Sequence, residues 1–161
     1  MGDVDRLIVA LHEDRSRGAS LASSLPADEA ADLVARLKAE ADRHWFIDAN
    51  QSLCFASYIV EIGRVRQDSA CIALGTMARG DALGILGQVD EAWTTLDEAG
   101  ALYAAIGDEI GWARTRIGRL HLSIELKQVA IALADAEQAA EIFRRHQDLD
   151  KLLRLKLTTA A

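Results

Sequence analysis

The chain has 161 residues, half of them hydrophobic and 27% charged, with one proline and 5% aromatics, which suits one compact domain or a short array of helix pairs and lies outside the disordered range. Its net charge of −7 and pI near 5.0 remove the counterion-release drive that dominates nucleic-acid binding, and no polybasic patch suits a membrane surface. Ala and Leu dominate the apolar positions, and both lose little freedom in a helix, so the fold class expected is all-α.

In chain order, Val4, Leu7, Ile8 and Leu11 make an amphipathic N-terminal helix, and Ser16–Leu25 is expected to be a loop. The segment MGDVDRLIVALHEDR lacks the basic start and apolar core of a signal peptide, and no apolar run approaches a membrane span; a cytoplasmic location is expected. Pro26 stands in the first turn of a helix to about Asp42, and another helix runs from about Ile47 to Arg66. Asp68 opens a helix to about Leu86, and Gly87-Gln88 turns the chain. A partner helix starts near Asp90-Glu91 and runs through Ile106 to a Gly107 stop. The scheme recurs with Asp108 to about Leu126 and Val129 to Arg145, and Asp148–Leu157 opens a further helix.

These pairs share a period of 40. Aspartate recurs at Asp28, Asp68, Asp108 and Asp148; Arg79 returns as Arg119, Ala92 as Ala132, Ala99 as Ala139, and Tyr103 as Phe143. The earliest copy is degenerate, with Ser52 and Ile59 where later copies have alanine. An acidic side chain suits a helix start, so the aspartates read as caps before ligands. Residues 1–25 are expected to be a helix and loop. Residues 26–161 are expected to be a repeat array with units at about 28–67, 68–107 and 108–147 and a partial unit at 148–161.

The segment Leu83-Gly84-Ile85-Leu86-Gly87, Asp90-Glu91-Ala92, then Leu96, Ala99 and Tyr103 resembles a tetratricopeptide repeat, with Gly80 as the small residue of its first helix. A second copy, with Gly118, Ala132, Ala139 and Phe143, has Lys127 in place of the turn glycine. The period of 40 departs from the usual 34 and the closing proline is absent; the longer variants in bacterial regulatory proteins, including those with CHAT protease-like domains, are similar. Pairs of HEAT type also fit a period near 40. The resemblance implies a right-handed α-solenoid of antiparallel helix pairs that binds a protein or peptide, as part of a larger regulatory protein. A small-molecule sensor using the concave groove is the alternative.

In that architecture first helices line the concave surface. Arg79 and Arg119, one period apart, with Arg116 and the neighbouring Trp112, are the expected partner-contact residues, a basic ladder suited to an acidic segment. The competing reading pairs these arginines with acids on adjacent helices and makes Trp112 a packing residue. The glycines at 75, 80, 84 and 87 come without GKS, GKT or GxGxxG, so close helix packing explains them. The four histidines and two cysteines lack metal-ligand spacing, and no catalytic set stands out, so neither catalysis, metal nor cofactor is expected. The unfinished last unit exposes an apolar end on which a second copy would stack as a homodimer.

Overall fold

A computed structural model describes residues 3–159, without the side chains of residues 3, 4 and 15. Val4 of the N-terminal stripe therefore has no described side chain. The described chain is all-helical. Its elements are α1 (Asp3–Glu13), α2 (Arg15–Ser23), α3 (Ala27–His44), α4 (Ala49–Arg66), α5 (Ser69–Ile85), α6 (Val89–Ala105), α7 (Glu109–Leu122), α8 (Val129–Arg145) and α9 (Leu149–Thr159).

The helix starts explain the sequence period. Helices α5, α7 and α9 begin at 69, 109 and 149, and α4, α6 and α8 at 49, 89 and 129. Asp68, Asp108 and Asp148 each accept a backbone N–H three residues on, from Cys71, Gly111 and Lys151, which satisfies a free donor of the first turn. Asp28 instead lies inside the first turn of α3, whose N-cap is Pro26; Asp48, off that series, caps α4.

The turns carry a finer period that residue identities conceal. Gln67, Gly87, Gly107, Lys127 and Gln147 all have φ between 55° and 75°, one every 20 residues. After each, the next N–H reaches back five residues: Asp68 to Gly63 O, Gln88 to Leu83 O, Asp108 to Tyr103 O, Gln128 to Ser123 O and Asp148 to Phe143 O. This is the Schellman closure, which uses the left-handed residue to satisfy helix-end carbonyls. Only two of the five are glycine, so the same geometry is built three times against the preference of the side chain.

Consecutive helices pack from α3 to α9, and α3, α5, α7 and α9 also touch in succession. They approach one another more closely than α4, α6 and α8 do. Three apolar clusters follow one another along the chain. The first joins Leu7, Leu11, Leu33, Leu37, Phe55 and Ile59; the next Met77, Leu83, Leu96 and Tyr103; the last Ile117, Leu120, Ala136 and Phe143. Past the last, α9 leaves Leu149, Leu153 and Leu157 exposed, four apart and so on one stripe.

Two expectations need correction. The segment expected as a loop, 16–25, is mostly helix. Asp14 caps α2 by accepting from the Arg17 N–H, and Ala19 and Ala22 are buried. Gly18 lets α2 lie against α1, since a Cβ there would come within 2.7 Å of the Leu11 backbone. Arg66, 44 residues away, donates from Nη1 to Ala22 O and Leu25 O, both at 3.0 Å, and so closes the C-terminal end of α2. Helix α7 also stops at Leu122 rather than about 126, where the Ser123 hydroxyl donates to Leu120 O.

Candidate binding groove

The face formed by α3, α5, α7 and α9 encloses a groove of about 550 Å³. Its floor consists of Gly80, Asp81 and Gly84 of α5 with Ile117 and Gly118 of α7. Glycine is needed at 118 because a Cβ there would stand 2.8 Å from Asp81 Oδ1 and from Leu96 Cδ1. The walls carry cations: Lys38 from α3, Arg114 from α7, Lys151 and Arg154 from α9. Asp42 and Glu125 are the acids beside them, and Trp45, Phe46 and Ile85 add apolar surface.

Both ends of the helix series meet here. Lys38 Nζ and Arg154 Cζ each lie 5.9 Å from the Trp45 ring, so a cation from α9 reaches an aromatic at the end of α3 across the mouth. Lys38 Nζ also donates to Asp42 Oδ1 at 2.5 Å. The Trp45 Nε1–H is buried and has no acceptor among the described residues, an unmet donor on the groove wall.

Asp81 is the carboxylate on the groove floor. Among the described residues no hydrogen bond or ion pair holds it, although Lys38, Arg114 and Arg154 act on it from farther off. Burial pushes its carboxyl up to about 7, outweighing those cations, with Asp42 adding to the rise. His121 shifts the other way: burial, then Arg154, lowers it from its ordinary value, which favours the neutral imidazole. The lining contains no serine, threonine, cysteine or tyrosine, hence no hydroxyl or thiol nucleophile. Among the described residues no group of three or more His, Cys, Asp or Glu converges to hold a metal. No described helix is long and apolar enough to cross a membrane.

The four residues expected to contact a partner lie elsewhere. Arg79, Trp112, Arg116 and Arg119 are not in the groove lining. The reason is helical register. At about 100° per residue, Arg116 falls about 160° round α7 from Arg114, and Arg119 lies one turn from Arg116 on that far face. There both are buried, 4% and 7% exposed. Arg116 Nη1 donates to Asp97 at 3.3 Å and Asp135 at 3.4 Å; Arg119 Nη1 donates to the same two at 3.1 and 2.9 Å.

Aromatic rings complete this clamp. Arg116 stands 4.8 Å over Trp112, and Arg119 stands 4.0 Å over Trp93. Burial and neighbouring Arg116 draw Arg119 below its ordinary value, opposed by Asp135 and Asp97. Gly100 makes room, since a Cβ there would overlap Arg116 Nη2. The clamp thus ties α7 to α6 and α8, which is the pairing with adjacent helices weighed from the sequence. Arg79 holds the corresponding place on α5 without such partners.

Sequence reasoning placed the basic helices but named arginines that lie outside the groove lining, and it passed over Lys38, Trp45 and Asp81. One signal for Asp81 was available: a lone charge between Gly80 and Gly84, on a stripe otherwise reserved for close packing. Set against protein-family models, curated proteins and solved structures, the chain matches none.

Proposed function

We propose that this chain is a tetratricopeptide-like α-solenoid, a scaffold module that binds an acidic protein or peptide segment in the α3–α5–α7–α9 groove. The observation that carries the reading is the convergence of Lys38, Arg114, Lys151 and Arg154 on one concavity of a chain whose net charge is −7. Opposite charge concentrated in a cleft steers and orients an acidic ligand. Phe46, 86% exposed, and Ile85 at the rim supply apolar contacts beside the cations. Helix starts spaced by 40 and the closer succession of α3, α5, α7 and α9 support the solenoid assignment, in which first helices line the inner surface.

The test is anisotropy of a labelled glutamate-rich peptide with the full chain at low and moderate salt. Arg114→Ala combined with Arg154→Ala is expected to weaken binding at least about tenfold, or about 1.4 kcal/mol, with the melting temperature nearly unchanged. Unaltered affinity in the double variant would overturn the reading. The volume of about 550 Å³ also falls within the range of small-ligand sites, which favours the sensor as a second reading. A saturable thermal shift with a small dicarboxylic acid, absent with the peptide, would support the sensor instead.

A further inference from the structure

The clamp around Arg119 shows what its counterpart on α5 lacks. Arg79 lies 40 residues before Arg119, on the same far face of its helix. Both side chains bury Nε without a hydrogen-bond partner, and among the described residues only the Arg119 guanidinium has ion-pair and ring partners beyond it. Around Arg119 stand Trp93 and Asp97 of α6 and Asp135 of α8. Subtracting 40 gives Leu53 and Ser57 of α4 and Thr95 of α6. Both carboxylates are replaced by hydroxyls, and the indole by a leucine.

No ion pair, hydrogen bond or ring contact engages the Arg79 guanidinium among the described residues. A partly buried guanidinium keeps its charge at any accessible pH, so the half-built slot cannot relieve the deficit by titration. Its planar fork suits a carboxylate, which would restore from outside what Asp97 and Asp135 supply to Arg119 from within. We infer that the slot between α4, α5 and α6 around Arg79 is a second binding site, on the face away from the groove, that takes a carboxylate of an acidic protein segment. It does not rest on the groove reading, because its residues are separate from the groove lining.

The test reads the Arg79 side chain itself. In the full chain labelled with nitrogen-15, the Arg79 Nε–Hε resonance is expected to shift saturably with a hexaglutamate peptide and not with sodium chloride at matched ionic strength. The shift should persist in Arg114→Ala with Arg154→Ala, which separates this site from the groove. It should vanish in Ser57→Asp with Thr95→Asp, where internal carboxylates fill the slot, and the melting temperature of that variant should rise. If that variant fails to fold, Arg79→Gln, which keeps the stem, should reduce the stoichiometry of peptide binding by one.

No shift, or an equal shift with chloride, overturns the site; the latter means an adventitious ion only. Light scattering assigns the source. A dimer lost in Arg79→Gln places the carboxylate on a second copy of this chain, and a monomer at all concentrations places it on another protein.

Discussion

Two faces of one helix put arginine to opposite uses. On α7, Arg114 looks into the groove and has no ion-pair partner within reach among the described residues, whereas Arg116 and Arg119 share Asp97 and Asp135 across two helix junctions. The spacing of two residues between Arg114 and Arg116 is what separates them. Side chains that look alike in the sequence are split by register into one available for a ligand and two spent on architecture. A basic helix is therefore poor evidence of a basic surface until the phase of each residue is known.

The sharpest way to break that contrast is to remove the more buried of the two carboxylates that both arginines share. Asp135→Ala is expected to cost about 3 kcal/mol, because it leaves two buried guanidinium groups to the more exposed Asp97 alone, and to lower the melting temperature by roughly 6–12 °C. Asp97, 62% exposed against 20% for Asp135, should matter less when truncated. Thermal denaturation followed by circular dichroism measures both; a change under about 0.5 kcal/mol for Asp135→Ala would remove the architectural reading of Arg116 and Arg119.

Next in size is Asp81, on the groove side of the same comparison. Its carboxyl titrates near 7 in the folded chain and near 4 when unfolded. Between those values the folded chain holds the extra proton, so this group's contribution to stability falls as pH rises from about 4 to 7 and is then level. Asp81→Asn should raise stability at pH 8 by about 1–3 kcal/mol and leave it unchanged at pH 4. Denaturant titrations at the two pH values give the answer, and an equal effect at both would mean the carboxylate is not the source of the strain.

The turns provide a smaller effect. Lys127 holds φ 55° where Gly87 holds 75° in the preceding pair. Lys127→Gly is expected to gain about 0.5–1 kcal/mol and Gly87→Ala to lose about 1 kcal/mol, by urea denaturation. If both lose, the lysine side chain is making a contact that outweighs its backbone cost. The smallest effect belongs to Arg114→Ala, within about 0.5 kcal/mol of wild type in stability, which is what distinguishes it from its neighbours on the far face.

What the sequence disclosed follows from how local each signal is. Asp68, Asp108, Gly87 and Gly107 announce helix ends through chemistry confined to one turn, and the boundaries of α5, α6 and α8 lie within a residue or two of expectation. Helix α2 escaped because Ser16, Ser20, Ser23 and Ser24 look like a loop. Its support is the buried Ala19 and Ala22 and the distant Arg66, none of which is a local signal. The groove was half legible. Its helices were identified, but Trp45 and Arg154 lie 109 positions apart, and only the stacking of four helices brings them together.

The left-handed turn residues have a mechanical consequence. Among them only Gly87 and Gly107 are glycines, and they bound α6 on both sides; α8 hangs between Lys127 and Gln147. Glycine tolerates a wide excursion of φ and ψ, while a side-chain-bearing residue in the left-handed well tolerates little. The turns on either side of α6 are therefore the two of the five whose backbone is least restricted by a side chain. Helix α6 carries Leu96 against the groove floor and Asp97 in the clamp, so any change of angle at those two turns would displace both at once.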